Sequence, residues 1–211
     1  MLKLLHLASQ QADPTVWSAP FRTALAEIGT LRLVEQATAL TPDERLALIQ
    51  ECDVLLTSWG SAKIPPSVAA QPGKLRYLCN ITGEMKGWVP PELVATGLPI
   101  TNWGDAPAFG MAEGAMTLLL ATLKDLHQQI QRIRGDGWAL DTASTGGSLQ
   151  GLHVGIYGCG VIGRQFIELL RPFQAIIRVY DPYAESLPDG CQRVASLETV
   201  QPSAMEELES I

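Results

Sequence analysis

Six residues, Gly158-Cys159-Gly160-Val161-Ile162-Gly163, limit what this chain can fold into more than any other stretch. A G-x-G-x-x-G run is a weak signal by itself, because glycines are common in turns. Its surroundings make it specific. The apolar segment Leu152–Tyr157 leads straight in, a helical pattern from Val161 to Leu170 leads out, and Ala175–Tyr180 then ends on the acid Asp181. Strand, glycine turn, helix, strand and acid in that order form the first unit of a dinucleotide-binding fold. Gly158 permits the tight turn, Gly160 lets a pyrophosphate approach the backbone, and Gly163 lets the helix lie close on the sheet. The N–H groups of Val161 and Ile162, at the positive end of the helix, suit phosphate oxygens. Asp181 suits the adenosine ribose hydroxyls; its charge repels a 2′-phosphate, and Pro182 offers no cation to attract one. These residues predict NAD, in preference to NADP, as the cofactor. A glycine-rich turn without ligand is the competing reading.

Upstream, short apolar runs alternate with helix-like segments. Leu2–Ala8, Leu31–Ala37, Asp53–Ser58, Leu75–Ile81 and Leu98–Asn102 read as strands. Pro20–Ile28, Pro42–Glu51, Pro65–Ala70 and Pro90–Thr96 read as helices, each opening on a proline whose missing N–H costs nothing there. Thr41-Pro42-Asp43-Glu44 combines a hydroxyl cap, a proline and two acids at the positive helix end. Such alternation predicts a parallel sheet covered on both faces. A longer helical pattern follows, with Asp105 as candidate cap and apolar residues recurring from Phe109 to Ile133, until Gly135-Asp136-Gly137 stops it. Gly110 and Gly114, one turn apart, predict close helix packing; backbone approach to a ligand is the alternative. The polar, glycine-containing stretch 142–148 reads as a linker, and the acidic stretch 197–211 as helical.

Charge and cysteines exclude several classes of function. The formal net charge is −7, with Lys and Arg scattered, so no surface offsets the phosphate repulsion of a nucleic acid or an anionic membrane. No run approaches the roughly 20 apolar residues of a membrane-spanning helix. Leu2–Ala8 lacks a basic leader and a cleavage site, so it reads as a buried strand. Cys52, Cys79, Cys159 and Cys191 have no metal-ligand spacing. They read as reduced thiols of a cytoplasmic protein with no metal site.

The whole order resembles the D-isomer-specific 2-hydroxyacid dehydrogenases, the group that includes D-3-phosphoglycerate dehydrogenase. Gly97-Leu98-Pro99-Ile100-Thr101-Asn102 resembles the family's strand before its crossing helix, Met111-Ala112-Glu113-Gly114 its helix-start motif, and Leu149-Gln150-Gly151-Leu152 the lead-in to its nucleotide domain. The match runs over nearly the whole chain and is more specific in the second half. It implies an α/β protein with a flavodoxin-like substrate domain over 1–103. A long crossing helix and the first half of a Rossmann NAD-binding domain would follow over 104–211. It also implies a small 2-hydroxy or 2-oxo acid as substrate, a site in the cleft between the domains, and a homodimer surface in the 106–134 helix region.

Two departures from the family pattern are visible. The substrate-carboxylate loop reads Ile81-Thr82-Gly83-Glu84-Met85-Lys86-Gly87, where Thr82 and Gly83 are the candidate substrate-binding residues and Gly83 and Gly87 keep backbone freedom. The resemblance also places the catalytic Arg, Glu and His beyond the second Rossmann strand. His6, His127 and His153 read as structural or surface groups, so no catalytic residue is assigned. A truncated chain, inactive alone, is the expectation. A non-catalytic NAD-binding or subunit-interaction module, or a truncated gene product, is the alternative.

Overall fold

The computed structural model describes residues 1–135, 146–196 and 199. The chain divides into two compact units, Met1–Gly104 and Asp105–Ile211.

The first unit runs β1 (Leu2–Leu7), α1 (Ala19–Ile28), β2 (Gly29–Val34), α2 (Pro42–Gln50), β3 (Val54–Thr57), a 3-10 turn (Pro66–Ala69), β4 (Tyr77–Asn80), α3 (Pro91–Val94) and β5 (Ile100–Thr101). The five strands pair in parallel, in the order β2-β1-β3-β4-β5, and an isolated antiparallel bridge joins Ala8 to Ser61. Successive strand residues point to opposite faces, and both faces are filled. Leu5, Leu7, Leu55 and Leu78 pack with Ile49, Val68 and Leu93 on the α2 face. Leu4, Val54 and Leu56 pack with Trp17 and Leu25 on the α1 face. The α2 start is a reciprocal capping box: Glu44 N–H donates to Thr41 Oγ1 at 3.2 Å and Thr41 N–H donates to Glu44 Oε2 at 2.7 Å. The second strand spans Gly29–Val34, shifted from the expected 31–37. It starts directly at the end of α1, because Gly29 N–H caps the Leu25 carbonyl in an extended backbone and pairs opposite Leu2.

Among the described residues the second unit runs α4 (Ala108–Leu123), α5 (Leu126–Arg134), β6 (His153–Tyr157), α6 (Val161–Leu170), a 3-10 turn (Arg171–Phe173), β7 (Ile176–Tyr180) and a short β8 (Cys191–Arg193). The sheet is parallel in the order β6-β7-β8, and β8 had no counterpart among the expected strands. Its core joins Met116 of α4, Val154 and Ile156 of β6, Ile167 and Leu170 of α6, and Ile177 and Val179 of β7.

Three helix expectations need correction. The single helix to Arg134 is two, parted where Asp125 adopts a left-handed backbone, φ 52°. The Leu123 carbonyl, which a continuing helix would use, accepts Gly147 N–H at 2.9 Å, and Lys124 Nζ donates to the Gly147 carbonyl at 2.6 Å. The helix cap is Pro107 rather than Asp105, whose carbonyl instead accepts Ala108 N–H. Gly110 and Gly114 face open space among the described residues, against the packing read for them. The stretches 142–145, 197–198 and 200–211, to which a linker and an acidic helix were assigned, lie outside the described residues.

Candidate cofactor turn and substrate loop

Each glycine of the turn has its own physical reason. Gly158 has φ +93°, a conformation that L side chains rarely adopt. Gly163 has an ordinary φ, but a Cβ there would stand 3.2 Å from the Gly158 carbonyl carbon and closer still to its oxygen. Helix α6 therefore closes directly on the backbone of the turn, more than on the sheet. Gly160 is the reverse case: φ is −73° and nothing lies within 4 Å of a Cβ built there. That cradle is open, and a side chain would fill it. The N-terminus of α6 has no side-chain cap, and the N–H groups of Val161 and Ile162 have no partner among the described residues. Two unpartnered amides in a solvent-facing turn, at the positive end of a helix, are a ready anion site.

Asp181 is tied to this turn. Its Oδ2 accepts Cys159 N–H at 2.6 Å, while Oδ1 accepts Tyr183 N–H at 2.7 Å and Ala184 N–H at 2.9 Å. The amide of Cys159, then those of Tyr183 and, beside Arg193, Ala184, hold the carboxyl below its usual range. One carboxylate oxygen accepts up to two bonds, so Oδ2 keeps a lone pair beside the glycine turn. Pro182 offers no cation, but the fold brings one from β8. Arg193 donates to the carbonyls of Asp181 at 3.1 Å and Ala184 at 2.7 Å. Only the pairing of β7 with β8 could reveal it; no spacing rule reaches from 181 to 193.

In the first unit the loop after β4 is organised by a residue that the sequence did not single out. Asn80 is fully buried. Its Oδ1 accepts Thr57 Oγ1–H at 2.9 Å, and its Nδ2 donates to the carbonyls of Thr82 at 2.7 Å, Gly83 at 3.4 Å and Glu84 at 3.3 Å. Asn102 Nδ2 adds a bond to the Gly83 carbonyl at 3.1 Å. With these carbonyls turned inward, trans peptide geometry turns the N–H groups of Gly83 and Glu84 the other way. Neither has a partner among the described residues. Thr82 is buried with its hydroxyl toward Asn80 Oδ1 at 3.4 Å, so it shapes the loop from within. Gly83 is needed for space rather than for freedom, since a Cβ would lie 2.6 Å from Trp103 Nε1. The Glu84 carboxylate caps the next turn, accepting Met85 N–H at 2.9 Å and Lys86 N–H at 2.6 Å, and those amides hold it below its usual pKa.

Within its own unit, each histidine lies apart from these groups. His6 is buried, donates its Nδ1–H to the Leu56 carbonyl at 2.9 Å, and lies tilted at 38° against Trp17. Burial pushes its imidazole below the usual value. His127 bonds Gln131 one turn along α5, and His153 opens β6 at the end opposite the glycine turn. All four cysteines are free thiols, and no metal-ligand cluster occurs among the described residues. Nor is any described helix long and apolar enough to cross a membrane.

Residues 116–205 match the family described as D-isomer specific 2-hydroxyacid dehydrogenase, NAD binding domain. The chain is 30% identical over 159 residues to D-3-phosphoglycerate dehydrogenase of Methanocaldococcus jannaschii, covering 75% of this chain and 29% of that one. It is 28% identical over 141 residues to the Mycobacterium tuberculosis enzyme of the same name, covering 67% of this chain and 26% of that one. Among solved structures, the NADPH-dependent glyoxylate/hydroxypyruvate reductase of Sinorhizobium meliloti superposes with a TM-score of 0.68 at 24% identity, over 95% of this chain and 60% of that one. The chain thus spans under a third of these curated relatives. With the glycine turn, its acid and the parallel sheets in place, the chain belongs to the D-isomer-specific 2-hydroxyacid dehydrogenase family and carries that family's NAD-binding domain.

Proposed function

We propose that this chain holds NAD on Gly158, Gly160, Val161, Ile162, Gly163 and Asp181, and a small 2-oxo or D-2-hydroxy acid on the loop 82–84, for hydride transfer between the two. The open cradle at Gly160, with Asp181 bonded to the same turn, is the observation that carries this reading. When bound, the cofactor supplies or takes up the hydride. The chain's own groups bind and orient. Val161 and Ile162 amides meet the pyrophosphate, the remaining lone pair of Asp181 Oδ2 accepts a ribose hydroxyl, and the carboxylate charge disfavours a 2′-phosphate. The amides of Gly83 and Glu84 meet the substrate carboxylate. The reading assigns no proton-transfer group, because within the first unit His6 bonds the Leu56 carbonyl, and within the second His127 bonds Gln131 on α5 and His153 opens β6 at the end opposite the turn. These 211 residues alone therefore bind without efficient turnover, since a missing acid–base group commonly costs about 10²–10⁴ in rate.

Calorimetric titration with NADH tests the first part: saturable binding is expected, and its absence at millimolar cofactor would remove the reading. Assays of the purified chain on a panel of 2-oxo acids with NADH test the second. Turnover that survives Asp181→Ala and loss of all three histidines would overturn it.

A subunit-interaction role is the second reading, favoured by one observation: α4 exposes Phe109, Met111 and Leu118. We propose a homodimer through the 106–134 region in a cytoplasmic setting that keeps the four cysteines reduced. Sedimentation of the parent chain and Leu118→Glu should give a dimer and a monomer respectively; a monomeric parent would refute it.

A further inference from the structure

The β2-β1-β3-β4-β5 order reverses direction between β1 and β3, and in open α/β sheets ligands bind outside the carboxyl ends of strands at such a switch point. The loop at that point is a rigid turn with a tryptophan at its tip. Ser61 N–H donates to the Ser58 carbonyl at 3.0 Å, Ser58 N–H donates to Ser61 Oγ at 2.8 Å, and Ser9 N–H, from the end of β1, donates to the Gly60 carbonyl at 2.7 Å. Trp59 is 60% exposed on this turn. Trp103, which follows β5, meets it edge to face at 5.1 Å and 85°. The same Trp103 lies against Gly83 through its Nε1. Its indole N–H, like the N–H groups of Gly83 and Glu84, has no partner among the described residues.

Thus three loops, from β3, β4 and β5, set the indole of Trp103 against Gly83 and that of Trp59 against Trp103. Amides and an indole N–H recognise a carboxylate; an exposed indole recognises a flat apolar ring. A solvated carboxylate loop alone would need neither tryptophan. We propose that Trp59, backed by Trp103, determines specificity here and selects 2-oxo and 2-hydroxy acids bearing an aromatic side chain. This inference rests on the loop reading above, in which Gly83 and Glu84 hold the carboxylate. No step of the chemistry changes; the ring is held by Trp59 while the acid end stays on the loop.

The test uses the whole chain labelled with ¹⁵N, with pyruvate and phenylpyruvate as probes, titrated in the presence and absence of NADH. Both acids should shift the amides of Gly83 and Glu84. Only phenylpyruvate should shift the indole N–H signals of Trp59 and Trp103, and it should bind about tenfold tighter, the scale of one aromatic contact plus its burial. Trp59→Ala should bring the two acids to within about twofold, and Trp59→Phe should restore the preference. Pyruvate shifting the amides with no preference for phenylpyruvate in the parent chain would overturn the proposal and leave the loop reading standing. Neither acid touching the amides would overturn both. Trp59 signals that broaden with protein concentration and ignore phenylpyruvate would assign the indole to a contact between copies, and would overturn the aromatic-substrate proposal as well.

Discussion

Adding one methyl group at Gly160 or at Gly163 should give opposite results, although the two glycines belong to one motif. At Gly163 the neighbour of the new Cβ is the Gly158 carbonyl, with its carbon at 3.2 Å and its oxygen nearer. That oxygen would have to retreat by about 1 Å to reach ordinary contact, and it is backbone, so the strain passes to the turn or to α6. Helix α6 cannot lift freely, because Ile167 and Leu170 are wholly buried under it. Overpacking of this kind costs up to about 3 kcal/mol, offset by about 1 kcal/mol of helix propensity gained by replacing glycine with alanine. A net loss of about 2 kcal/mol follows, or about 10 °C in melting temperature for a unit of this size. At Gly160 the backbone is unstrained and the space is empty, so stability should change by less than about 0.5 kcal/mol. There the methyl group would stand where phosphate oxygens approach. A steric penalty of about 2 kcal/mol weakens NADH binding about thirtyfold. Thermal unfolding by circular dichroism and calorimetric titration with NADH, run on both variants, separate the two roles. A Gly160→Ala chain that binds NADH like the parent, or a Gly163→Ala chain that melts like it, refutes the reasoning.

Other perturbations probe the remaining parts. Asn80→Ala strands the Thr57 hydroxyl and three loop carbonyls, and should destabilise by about 2–4 kcal/mol in denaturant titration; Asn80→Asp, which keeps Oδ1, should still lose the bonds to the carbonyls and disorder the amide signals of 82–84. The capping box predicts that Thr41→Ala costs about 1 kcal/mol in the same assay. For Asp181 the sign follows from a folded pKa below the unfolded one. Its contribution is full above the unfolded carboxylate value and is lost as pH falls through the folded value. Urea melts from pH 7 downward should therefore show the parent losing its advantage over Asp181→Asn in acid. An advantage that grew in acid would contradict this.

Much of the molecule was legible from local pattern. The capping box at Thr41 and Glu44 depends on a spacing of three residues, and the glycine turn on a spacing of five. Strands β1 and β3 show as apolar runs because both faces of a parallel sheet are buried. Element ends were harder. Apolar periodicity runs on from Leu123 to Ile133, yet the helix parts at Asp125, because the Leu123 carbonyl is claimed by an amide far along the chain. Strand β8 is only three residues long and exposes Gln192 and Arg193, so no apolar run announces it.

By itself, the order of residues determined the class of fold and the spacing of the glycine turn and its acid, since each rests on neighbours within a short span. The tertiary structure decided which atoms do the work. It made Gly163 a matter of one carbonyl and Gly83 a matter of one indole, and it buried Thr82 where it had read as a contact. It gave the loop to Asn80, set Arg193 behind Asp181, and placed Trp59 at the switch point. Those are meetings between strands that pair across tens of residues, and hydrogen-bond direction and close contact exist only once the sheet has formed.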